Sequence, residues 1–133
     1  MRSEWQPYAN AGDAYKGINE PAKAKDEYLK ALDRNPNSVI QYTELIDFFS
    51  SINDEKNLEK TFLKAIRKFP RSPEILLKYT KHLIEKQRLE QAANYLSLAY
   101  LESPNNPEIW DIYVKFAGPK DKAIEEEIKK KIN

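Results

Sequence analysis

The chain has no cysteine, three glycines, one histidine and one methionine among its 133 residues, and each scarcity removes a class of answers. Without cysteine there is no disulfide, no thiolate metal site and no cysteine nucleophile. Gly12, Gly17 and Gly118 are the only glycines, which leaves little turn chemistry for a hairpin-rich sheet and no glycine-rich loop to cradle phosphate. There is no His-x-x-x-His pair and no calcium loop either. No apolar run approaches the roughly 18 residues that span a bilayer, and the N-terminus lacks the apolar stretch of a secretory signal. Met1-Arg2-Ser3 leads straight into patterned sequence, as expected of a piece of a longer protein. An excess of charge is missing too: 22 basic against 21 acidic residues give a net +1. That balance, with the basic residues unclustered, leaves no electrostatic footprint for nucleic acid.

What is present is proline at regular places. Pro36, Pro70 and Pro104 lie 34 residues apart, and between them the same residue types return at the same offsets. Registered on those prolines, three units run over residues 5–38, 39–72 and 73–106. Large residues mark the fourth position (Tyr8, Tyr42, Leu76) and the eleventh (Tyr15, Phe49, Leu83). In the second half come Ala24, Leu58 and Ala92, then Tyr28, Phe62 and Leu96, then Ala31, Ala65 and Ala99. Internal repetition of this length marks stacked supersecondary units, none of which buries its apolar face alone. Ser72-Pro73-Glu74 and Asn106-Pro107-Glu108 each combine an N-cap residue, a proline in the first helical turn and an acid behind it. Ser38 with Gln41 fits a capping box. The pattern predicts helices over 4–17, 21–34, 38–51, 55–68, 73–86, 89–102, 107–117 and 120–132.

In its first unit the sequence reads Tyr8, Ala11, Gly12, Tyr15, Ala24, Tyr28, Ala31 and Pro36, and this pattern resembles the tetratricopeptide repeat. The other two units keep the register without insertion, although Ile46 and Thr80 replace the small residue of position eight. The resemblance implies an all-α fold, an α-α superhelix or solenoid of antiparallel helix pairs, with 1–133 as a single domain. Residues 107–133 form a partial fourth repeat and a terminal helix in that reading. Trp110 and Tyr113 sit on repeat positions before Gly118 and Pro119 interrupt. After them, Ile124, Ile128 and Ile132 make one narrow stripe on a charged helix, with Glu125, Glu126 and Glu127 each four residues before a lysine. Such a helix is expected to cap the stack.

Catalytic chemistry finds no support in the spacing. His82 falls on a first helix, where a structural contact is the ordinary reading, and no acid and serine stand in a pattern that would make it a base. Most of the aromatics, Tyr8, Tyr15, Tyr28, Tyr42, Phe49, Phe62, Tyr79, Trp110 and Tyr113, occupy the interlocking positions of the repeat, which assigns them to the core rather than to base stacking. The chain is therefore expected to be no enzyme and to need no cofactor or metal.

The family resemblance implies a groove lined by the first helices of successive units that receives a segment of a partner protein. By register the groove positions include Ala9, Asp13 and Lys16 in the first unit, and Ile40, Thr43 and Asp47 in the second. Glu74, Leu77, Lys81, Ile84 and Glu85 follow in the third, with Glu108, Asp111 and Lys115 beyond it. Six acids and three lysines give this set a balance of −3 within a chain of +1. That sign predicts a partner peptide or helix that is basic or amphipathic. One branch of the family grips the C-terminal carboxylate of chaperones, but its clamp positions here hold Ala9, Asp13, Glu44, Glu74 and Lys78. A carboxylate beside those acids would be repelled. The competing reading is a structural spacer or a homodimer through the terminal edges, which Trp5 on the outermost helix would cover, with the groove idle.

Overall fold

The computed structural model describes residues 4–117, and among them it forms helices and turns with no strand. The helices are α1 (Gln6–Gly17), α2 (Pro21–Arg34), α3 (Val39–Ser51), α4 (Glu55–Lys68), α5 (Pro73–Glu85), α6 (Leu89–Glu102) and α7 (Pro107–Ala117). They match the seven expected from periodicity to within two residues. The terminal cap expected over 120–132 lies outside the described residues. The helices are grouped in two compact units that part between Arg67 and Lys68.

Pairing within α1–α2, α3–α4 and α5–α6 is imposed by three equivalent turns. Asn19, Asn53 and Gln87 each take the left-handed conformation, with φ of 61°, 58° and 61°. The amide after each reaches back five residues: Glu20 to the Tyr15 carbonyl, Asp54 to Phe49 and Arg88 to Leu83, at 2.8–3.0 Å. These bonds satisfy the orphan carbonyls at the end of the first helix and reverse the chain within three residues. The 34-residue period is thus written in backbone dihedrals as well as in side chains. Asparagine tolerates this conformation by bonding locally, whereas glutamine at position 87 has no such compensation.

The N-termini divide between expected and unexpected caps. The Ser72 hydroxyl accepts the Ile75 amide at 3.4 Å, and the Asn106 side chain accepts the Glu108 amide at 2.9 Å. The capping box at Ser38 does not form: Ser38 makes no side-chain cap bond, and Gln41 is only 3% exposed, its amide nitrogen without a partner. Burial of Gln41 takes it away from the helix end that it was expected to close. At the start of α4 a cap does form: Asp54 accepts the Asn57 amide at 3.2 Å and the Asn57 side chain at 2.7 Å.

The small repeat residues are where helices approach most closely. Ala24, Ala31, Ala65, Ala92 and Ala99 are all 0% exposed. Tyr28, Tyr42, Phe49, Phe62, Tyr79 and Tyr113 are buried as expected, while Tyr8, Tyr15 and Trp110 are half-buried. Phe48 was not among the repeat positions, yet it is buried, with its ring centroid 5.1 Å from that of Tyr28. His82 is buried too, and its ring stacks on Tyr79 at 6.3 Å.

Candidate functional site

The first-helix positions fall into one set on α1 and α3 and another on α5 and α7, each within its own unit. In the first, helical spacing carries Asp13 on α1 and both Glu44 and Asp47 on α3 to one acidic locality. The Tyr28 hydroxyl, arriving from α2, donates to Asp13 at 2.5 Å. Burial, that hydrogen bond and the nearby charges of Asp13 and Glu44 all push the Tyr28 phenol well above its ordinary range. Burial first, then Asp13, then Asp47 raise the Glu44 carboxyl above its usual value. One Glu44 oxygen is covered and has no hydrogen-bond partner. Three carboxylates therefore share a small space in which the least exposed one is costly to ionise.

In the second set, Lys81 of α5 forms an ion pair with Glu108 of α7. Beside this pair lies an open hollow of about 280 Å³, walled by Ile84 and Ile112 with Lys81, Glu85 and Lys115 around it. Four of those five residues belong to the positions chosen by repeat register. Ile112 was missed, although it stands one helical turn from both Glu108 and Lys115.

Asp13, Lys16, Ile40, Asp47, Glu74, Lys81, Asp111 and Lys115 are exposed, and Ile84 is half-exposed. Ile40 presents 59% of its surface, an unusual value for isoleucine on an otherwise packed helix. Ala9, Thr43 and Leu77 are buried and offer no side-chain surface to a partner. Each packs inward because the face of a first helix that meets its neighbours is wider than the repeat signature marks. The acidic excess is also uneven. Lys81 pairs with Glu108 on α5 and α7, whereas on α1 and α3 the acids Asp13, Glu44 and Asp47 lie close enough for their charges to act on one another.

The family model of the Suppressor of forked protein matches residues 23–132, well over half of the chain. The chain belongs to the Suppressor of forked family. No curated protein sequence matches it. Among solved structures, it is similar to PilF of Pseudomonas aeruginosa, with a TM-score of 0.67 and 22% identity over 96% of this chain. It is also similar to MamA from AMB-1, with a TM-score of 0.66 and 13% identity over 97% of this chain. The chain spans 60% of that PilF chain and 73% of that MamA chain. Both are tetratricopeptide-repeat proteins, and this Suppressor of forked chain shares their all-α helical-repeat fold.

Proposed function

We propose that the chain is a non-catalytic protein-interaction module, one tetratricopeptide domain whose first-helix face takes a basic, amphipathic segment of a partner protein. The observation that carries the reading is the cluster of Asp13, Glu44 and Asp47. Its Glu44 carboxyl is raised by burial and by both neighbours, and one of its oxygens lacks a hydrogen bond. A lysine or arginine from a partner, placed beside the exposed Asp13 and Asp47, would relieve that repulsion and make the charged state of the cluster cheaper when bound than when free. Exposed Ile40 on the same helix supplies an apolar contact. On the second unit, the hollow at Ile84 and Ile112 offers an apolar contact of its own, with Glu74 and Asp111 as acids on its helices and Lys81 and Lys115 limiting how basic its ligand can be, as Lys16 does on the first unit.

Fluorescence anisotropy with a labelled lysine- and arginine-rich amphipathic peptide tests this against a peptide of reversed charge. The basic peptide should bind more tightly, weaken as salt rises, and lose about tenfold in affinity with Asp47→Lys, the equivalent of about 1.4 kcal/mol. Equal binding of both peptides, or an unchanged affinity in the variant, would overturn the assignment.

A further inference from the structure

A second surface of the first unit has the opposite electrostatic character. Three helices converge on a crevice of about 270 Å³. From α2 come Lys25, Leu29 and Leu32, spaced to share one helical face, and from α3 come Tyr42, Leu45 and Phe49, spaced likewise. The third wall is α4, where Lys60 and Lys64 are one turn apart and alternate with Asn57 and Thr61. Leu32, Tyr42, Leu45 and Phe49 are nearly closed to solvent, while Leu29 is 40% exposed at the opening.

Among the described residues no carboxylate lines this crevice. Lys60 and Lys64 are exposed and form no ion pair among those residues. Asp54 interacts with Lys25 of the crevice, and its carboxyl is held below its usual range chiefly by its two bonds to Asn57 and further by Lys25 and Lys56. That carboxylate is already committed to capping α4. The crevice is smaller than the roughly 300–1,000 Å³ typical of small-molecule sites, which suits an anchoring side chain rather than a whole ligand.

We propose that this crevice is a docking site for an acidic, apolar-anchored segment of another protein, separate from the acidic first-helix site. A leucine or phenylalanine of the partner would enter over Leu29, and flanking glutamates or aspartates would pair with Lys60, Lys64 and Lys25. Charge complementarity selects this occupant: a lysine-rimmed apolar hollow repels the basic segment that the Asp13 cluster attracts, so the two surfaces sort partners by sign. The lysine pair at four-residue spacing matches acids spaced in the same way on a partner helix.

The test uses the whole chain and a short labelled helical peptide with one leucine between glutamates at four-residue spacing, read by fluorescence anisotropy. Wild type should bind this probe, and the double substitution Lys60→Glu with Lys64→Glu should weaken it at least tenfold without lowering the melting temperature. Leu29→Ser, which keeps every charge, should also weaken it. The proposal fails if wild type does not bind, if the charge-reversed variant binds equally, or if a probe with serine in place of leucine binds as well, which would mean attraction to lysines alone. It also fails if anionic vesicles displace the probe from wild type and bind the Leu29→Ser variant equally, the signature of a membrane surface. Binding of the basic peptide is read in parallel on the same variants, where it should be unchanged, so failure of one site is distinguishable from failure of the other.

Discussion

Substituting alanine at Gly12 sets helix propensity against packing, and the two give opposite signs. Gly12 is buried in α1, and a Cβ there would stand 2.8 Å from Cδ1 and Cε1 of the Tyr28 ring. Real side chains do not approach so closely, and the ring has little room to yield. Tyr28 is only 5% exposed, its ring packs tilted against Phe48, and its hydroxyl is tied to Asp13. Overpacking of this kind costs about 1–3 kcal/mol. Alanine in place of a helical glycine returns about 1 kcal/mol. If the ring swings aside instead, a hydrogen bond to a charged group is lost, worth about 1.5–3 kcal/mol. The net expectation is a loss of up to about 2 kcal/mol. Gly17 lies in the same helix with nothing within 4 Å of its Cβ position, so Gly17→Ala should gain about 0.4–1 kcal/mol. Urea unfolding followed by circular dichroism would read both as shifts of midpoint at constant slope. If Gly12→Ala is stabilised as much as Gly17→Ala, the close approach of α1 to Tyr28 is not a constraint and the packing argument is wrong.

Glu44→Gln should stabilise the chain at neutral pH. A carboxyl whose folded value is raised is harder to ionise in the native state, so its contribution falls as pH rises above the unfolded value near 4.5. The variant's advantage should therefore be present at pH 7 and vanish at pH 4; urea midpoints at the two values check it, and a less stable variant at pH 7 would contradict the cause assigned. Gln87→Gly should raise the melting temperature, because a left-handed non-glycine residue costs about 1–2 kcal/mol against an entropic cost for glycine of about 0.5–1 kcal/mol. Gln87→Val should lower it, and the reverse order in a calorimetric scan would refute the turn geometry. Asp47→Lys should weaken a basic peptide about tenfold, while Lys60→Glu with Lys64→Glu should spare that peptide and weaken the acidic one at least about tenfold, both read by fluorescence anisotropy.

The spacing of Pro36, Pro70 and Pro104 and the alternation of large and small residues made the helices legible, because each small residue answers a close helix crossing and each proline a boundary. The site was less so. Periodicity ranks Ala9, Thr43 and Leu77 with Asp13 and Asp47, since it reports which face of a helix a residue occupies and not how wide the packed part of that face is. Ser38 and Gln41 have the spacing of a local cap, but spacing along the chain does not report that the fold buries Gln41.

By itself the sequence determined an all-α repeat of 34 residues, the assignment of its aromatics to packing and the acidic balance of its first helices, all properties that follow from spacing along one chain. Tertiary structure decided the rest. Only folding brings Tyr28 to Asp13, sets Glu44 between two other acids, pairs Lys81 with Glu108 and gathers Lys25, Lys60 and Lys64 around Leu29. Residues on different helices interact through distance and burial, and those quantities exist only once the helices have packed.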